Sequence, residues 1–411
     1  MFDPSRVRRY LEHTRRTSGG RNWPASFDDR LTTALPSFRD VVRMLRQSGP
    51  RLARLDHATR IPVDRPAELP RARPGQTLVT WVGHATYVIQ IGGLTVLTDP
   101  VWSRRIPGVR PRLTPVGVDW DALPPVDAVL ISHNHYDHLD APSIRRLPRS
   151  TPLLVPANLA WWFRRRGFRN VTDLDWWEFR EMAGGPAAGG VRFDFVPAHH
   201  WSRRTLTDTN KSLWGGWMLT GPDGIQVYFA GDTGYGHWFT AIGERFPGID
   251  LALLPVGAYE PEWFMQPVHL NPEEAVQACH DLGARRMAPM HWGTFVLSAE
   301  PVIEPWERTV AAWSAAARPR VDLWDLAIGE SRALDGHLPP LAIEPAAERP
   351  AGRPAGRPTE PAAGIPVGLP AGAPASDHLP SDYLPSDYLP SGDPPSGDPP
   401  PADPALSADT R

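Results

Sequence analysis

The stretch VLISHNHYDHLD, residues 129–140, constrains this chain more than any other. An apolar run of strand type ends at Ser132, and His133, His135, Asp137 and His138 follow within six positions. A strand-to-helix loop is where a rigid scaffold presents functional side chains. His133 and His135 can point to one side of an extended segment. Asp137 and His138 reach the other side once the chain turns toward a helix beginning near Pro142, so one loop can serve two metals about 3.5 to 4 Å apart. A solvated polar loop is the alternative, and it explains one histidine better than four ligand-type residues.

Zinc favours about four ligands, with water in the open position of a catalytic site. Each metal therefore needs partners from elsewhere, and they stand where apolar strands run out: His199 or His200 in FVPAHHW, Asp232 in YFAGDTGY, His291 in MAPMHWGTF. Read singly, each has a duller explanation, such as a hydrogen-bonded core histidine or an aspartate capping its own turn. Asp99 in LTDP and His84 in GHAT are candidates to orient a metal-bound imidazole rather than ligands. Cys279 is the only cysteine, so no intrachain disulfide is available and a metal site must use imidazole and carboxylate.

The scaffold around these residues alternates strands with helices, which predicts α/β layers. LVTWV and TYVIQI lead through Gly92 and Gly93 into LTVLTDP, the pattern of an antiparallel start with a glycine turn. Further strands are expected at DAVLIS, VRFDFVPA, GIQVYFAGD and DLALLPV. One helix is well marked, with Asn271 as N-cap, Pro272 in its first turn, Glu274 at the capping-box position and Gly283 past its end. The expected domain is 75–335, between a basic N-terminal arm at 1–74 and a tail at 336–411. The tail holds 19 of the 49 prolines and a drifting SDYLP-type repeat, so it is expected to be disordered.

The net charge of −3 is unevenly spread: the arm carries 16 arginines against 8 acids, the tail 10 acids against 4 arginines. Within the arm, Leu35, Phe38, Val41, Val42 and Leu45 follow an amphipathic helix pattern that would dock on the domain or meet an anionic membrane. Tryptophan beside arginine, as in Trp161 and Trp162 before FRRR, also suits a membrane interface. No run of about 18 apolar residues predicts a spanning helix, and the first twenty residues lack a secretory core. A cytoplasmic location is expected, peripheral to the inner membrane face. A body that is acidic by difference and has no nucleic-acid module argues against nucleic-acid partners.

The phrases TWVGHAT, LTDPVWSRR, PPVDAVLISHNHYDHLD, LDWWE, HHWSRRTLTDTNKSLWGGW, YFAGDTGY, GAYEPEWFM, HLNPEEA, HWGTF and GESR run in order from about residue 80 to 332. Together they resemble the N-acylphosphatidylethanolamine-hydrolysing phospholipase D family of the metallo-β-lactamase fold superfamily. The resemblance implies a four-layer αβ/βα sandwich with two zinc ions. His133, His135 and His200 would hold one, Asp137, His138 and His291 the other, and Asp232 would bridge both. His200 is preferred over His199 because the family's ligand immediately precedes the tryptophan, here Trp201. Asp137, Asp232 and His269 would form the catalytic set, with His269 reaching the substrate phosphate just ahead of a helix N-terminus that favours anions.

The activity so implied is hydrolysis of N-acylphosphatidylethanolamine-like lipids to N-acylethanolamine and phosphatidic acid by a metal-bound hydroxide. A related hydrolase acting on a sugar-phosphate lactone or another small ester is the alternative, since one fold hosts several chemistries. An adaptor that binds metal without catalysis is a third reading, which the complete ligand set disfavours. The partners expected are a phospholipid substrate, a membrane surface touched by the arm, and a second copy of the chain in a homodimer.

Overall fold

Alternate residues along the strands feed two different cores, and that period of two sets the layering. A computed structural model describes residues 21–48, 55–184, 189–334 and 336. The first twenty residues and the tail, Gly336 excepted, lie outside the described residues.

β1 (Thr77–Gly83), β2 (Thr86–Ile91) and β3 (Leu94–Thr98) form an antiparallel meander. Gly92 and Gly93 join β2 to β3 with φ of +55° and +77°, the left-handed pair that a two-residue hairpin turn requires. β4 (Ala128–Leu130), β5 (Leu153–Pro156) and β6 (Val171–Leu174) extend the sheet in parallel. The second sheet contains β7 (Phe179–Ala183), β8 (Gly190–Val196), β9 (Gly216–Thr220), β10 (Gln226–Phe229), β11 (Leu251–Pro255) and β12 (Arg286–Met290). Finally β13 (Ser331–Leu334) returns to pair with β1, giving the orders β13-β1-β2-β3-β4-β5-β6 and β12-β11-β10-β9-β8-β7.

Val79, Trp81, Tyr87, Ile89 and Leu130 of the first sheet face Phe193, Phe195, Trp217 and Leu219 of the second across one buried core. The residues of opposite parity, Val82, Val88, Leu97, Val129 and Ile131, pack outward against a second cluster. That cluster takes Ile144 from α2 (Ala141–Arg146) and Trp162 and Phe163 from α3 (Ala160–Arg164). On the far side, α4 (Trp238–Arg245), α6 (Pro272–Asp281) and α7 (Glu304–Ala315) bury Ile242, Ala275, Ala278 and Trp313 on the second sheet; the short α5 (Glu262–Met265) precedes α6. The layers therefore run helix, sheet, sheet, helix, as expected of the αβ/βα sandwich.

The capping box of α6 forms as the sequence predicts. Asn271 Oδ1 accepts from the Glu274 N–H at 2.8 Å, and the Glu274 carboxylate accepts from the Asn271 N–H at 3.2 Å. In the arm, α1 (Phe38–Ser48) buries Met44 and packs Val41 against Ala258, Phe264 and Met265, so this helix docks on the body. Upstream, Phe27 is fully buried and Trp23 Nε1 donates to Asp173.

Candidate metal centre

The ligand-bearing loops leave the C-terminal ends of β4, β8, β10 and β12, so both sheets contribute to one site. His133, His135, Asp137, His138, His200, Asp232, His269 and His291 converge there, each no more than 3% exposed. Gly231 sets the turn before Asp232: its φ is +61°, and a Cβ in its place would lie 2.5 Å from Ser132 Cβ.

Two ligand sets are distinct. In the first, His133 Nε2 lies 2.8 Å from His135 Nδ1, and His200 Nε2 lies 3.2 Å from the same atom. Bare nitrogen lone pairs repel at such distances, so a proton or a cation must stand between them. Both Nε2 atoms are 3.9 Å from Asp232 Oδ2. In the second, His138 Nε2 and His291 Nε2 each lie 3.4 Å from Asp137 Oδ2 and 3.2 Å from an oxygen of Asp232. Zinc with ligands at 2.0–2.1 Å has tetrahedral edges of about 3.3 Å, which these separations match. His138 Nε2, His291 Nε2, Asp137 Oδ1 and Asp232 Oδ1 are buried without a hydrogen-bond partner, as lone pairs aimed at a cation would be. The residues present thus fit a divalent-metal centre in which Asp232 lies near both sets.

Behind the ligands lies a second set of hydrogen bonds that fixes ring orientation. Asp99 Oδ2 is 2.7 Å from His138 Nδ1, and Asp99 also accepts from Ser132 N–H and Oγ. Ser132 Oγ lies 2.9 Å from His133 Nδ1, and His200 Nδ1 faces the Val268 carbonyl at 2.9 Å. Ser132 is fully buried within this chain of bonds. Asp99 thus takes the orienting role the sequence suggested for it. Ser132 was missed, although its place directly before His133 was a usable signal.

Electrostatics separate the two sets. Burial, then neighbouring His138, His135 and His200, push His133 well below the usual imidazole range. Burial also pulls on His138 and His291, but Asp232 and Asp137 outweigh it, leaving His138 well above its usual value and His291 at about 9. Burial raises the Asp137 and Asp232 carboxyls, yet His138 and its neighbours hold both well below the usual range. Burial raises Asp99 against the pull of His138.

Two sequence readings are refined. His199 turns away from the cluster: its Nδ1 is 2.6 Å from Thr32 Oγ1, and its ring lies against His237. His200 is the imidazole inside the cluster. His269 Nδ1 lies 4.0 Å from Asp232 Oδ2, with its ring beside His200 and His291. The N-terminus of α6, expected to favour an anion next to His269, is already engaged by Glu274, and Glu273 adds a second carboxylate to its first turn.

Residues 95–292 match the family described as Beta-lactamase superfamily domain. An uncharacterised protein of Mycobacterium tuberculosis is 41% identical over 256 residues, which are 59% of this chain and 65% of that protein. The match therefore spans just under two thirds of that relative. A protein of Caenorhabditis elegans named N-acyl-phosphatidylethanolamine-hydrolyzing phospholipase D 1 is 37% identical over 55% of this chain and 67% of its own length. Among solved structures, a possible metal-dependent hydrolase from Veillonella parvula superposes with a TM-score of 0.51 at 18% identity, covering 63% of this chain and 100% of that one. That likeness supports the sandwich fold alone. By sequence, the chain belongs to the metallo-β-lactamase superfamily and, within it, to the family of the N-acyl-phosphatidylethanolamine-hydrolysing phospholipases D.

Proposed function

We propose that this chain is a zinc-dependent phosphodiesterase of phospholipase D type, converting N-acylphosphatidylethanolamine-like lipids to N-acylethanolamine and phosphatidic acid. The observation that carries the reading is the pair of buried ligand sets meeting at Asp232, with edges of 3.2 to 3.4 Å in the second set. The name of the nematode relative supplies the substrate class.

His133, His135 and His200 would hold one ion, Asp137, His138 and His291 the other, and Asp232 both. When bound, such ions would lower the pKa of water toward about 7 and neutralise charge on a phosphodiester. The protein's own part is orientation. Asp99 and Ser132 lock the rings of His138 and His133, and the Val268 carbonyl locks His200. We assign His269, beside Asp232, to the substrate phosphate. Contact with a membrane would be peripheral, through the exposed Arg39, Arg43 and Arg46 of α1, because Met44 is spent on the body.

The test is turnover of N-acylphosphatidylethanolamine vesicles by the purified full chain, with products followed by mass spectrometry and metal measured on the same sample. Release of both products with about two ions per chain is the expected result. Two ions without lipid cleavage would discard the substrate, and a chain that binds no metal would discard the whole reading.

A further inference from the structure

His84 touches all three of Asp137, His138 and His291. It sits in the turn between β1 and β2, 53 positions before Asp137. Its Nε2 is 3.0 Å from Asp137 Oδ2. Its carbonyl accepts from the His291 N–H at 3.2 Å, and its ring lies 4.1 Å from the His291 ring, centroid to centroid. Phe295 closes the far side edge-on.

The backbone here is held against its preference. His84 has φ of +56° and His291 φ of +63°, in the left-handed region that non-glycine residues rarely adopt. Three hydrogen bonds maintain the His84 turn: its N–H donates to Thr294 Oγ1 at 2.8 Å, Trp81 Nε1 donates to its carbonyl at 2.9 Å, and the His291 N–H shares that carbonyl. Strained conformations persist where the surroundings over-determine them and cluster at functional sites.

We infer that His84 is a positioning residue for the second ion: its Nε2–H holds the Asp137 carboxylate while its carbonyl holds the His291 backbone. The inference rests on the metal-centre part of the proposed function, not on the lipid substrate.

The imidazole makes two separable contributions, a donor at a set reach and tolerance of a left-handed backbone. His84→Gln keeps a donor at about the Nε2 position but is strained there. His84→Asn suits the left-handed backbone, since asparagine visits it readily, but its amide stops short of Asp137. The full chain, stripped with a chelator, is titrated with cobalt(II), following the visible absorption of each ion and the melting temperature.

If His84 positions Asp137, His84→Asn weakens the second cobalt roughly 10- to 100-fold, leaves the first unchanged, and melts no lower than His84→Gln. His84→Gln keeps the second cobalt within about threefold of wild type. The inference is overturned if His84→Asn binds both ions as wild type does, if His84→Gln is as weak as His84→Asn, or if both variants lose both ions alike. A wild-type chain that takes up no second ion would sink the metal-centre reading itself, and this inference with it.

Discussion

The two ligand sets share one aspartate and one loop, yet they are backed in opposite ways. His133 and His200 turn their outer nitrogens to a hydroxyl and a carbonyl, both neutral. His138 turns its outer nitrogen to the Asp99 carboxylate, and Asp137 meets His84. The first set is thus a cluster of imidazoles whose lone pairs face one another, and His133 resists protonation. The second is a charged set in which Asp232 and Asp137 hold His138 and His291 above their usual values. The difference teaches that one buried cluster can be assembled from two unlike ligand sets. Apart from the shared Asp232 the first set is built from imidazoles alone, and the second adds the Asp137 carboxylate, with Asp99 and His84 behind it.

The strongest way to break this comparison is to remove what the two sets share. Asp232→Ala is expected to leave less than one ion per chain and to cut lipid turnover by at least about 100-fold, because each set loses its common carboxylate. Metal analysis and vesicle assays check this together. Retention of two ions would mean that the sets are independent and that Asp232 bridges nothing.

A sharper cut follows from one ligand of each set. His200→Ala should lose the first ion and His291→Ala the second, each variant keeping about one of two in metal analysis. If either substitution empties both positions, the subsites form a single cooperative unit and the contrast between them dissolves. Asp99→Asn probes the backing instead of the ligands. It preserves shape and accepts the local φ of +32°, but removes the charge behind His138. The second ion should bind roughly 10- to 100-fold more weakly, with the first unchanged, as read by calorimetric zinc titration.

Much of this centre was legible in the sequence because the HNHYDH loop concentrates four ligand types beyond any ordinary loop, and because Asp232 and His291 end apolar strands. The β2–β3 hairpin and α6 were legible for local reasons, a Gly-Gly turn and a capping box. Other elements were hidden by their chemistry. β7 is an edge strand whose side chains are mostly exposed, so FREMA carries no alternation to read. β12 contains Pro289, which edge strands tolerate but which argues against a strand when read alone. The reach of His84 to Asp137 was invisible because it depends on how two loops of the first sheet meet, which no spacing encodes.

His199 and His200 show the same limit at the smallest scale, and they carry the mildest prediction. Adjacent residues on an extended segment point to opposite sides, so one imidazole enters the centre and its neighbour leaves it. His199 goes to the arm, with its Nδ1 at Thr32 Oγ1. Thr32→Val keeps the volume of the side chain and deletes that partner, which should lower unfolding free energy by about 1 kcal/mol in denaturant titration. Metal content should stay at its wild-type value, because the lost bond lies on the arm side of the segment. A drop in the first ion's affinity would show that the arm reaches through His199 to His200, making the imidazole set as dependent on outer support as the carboxylate set.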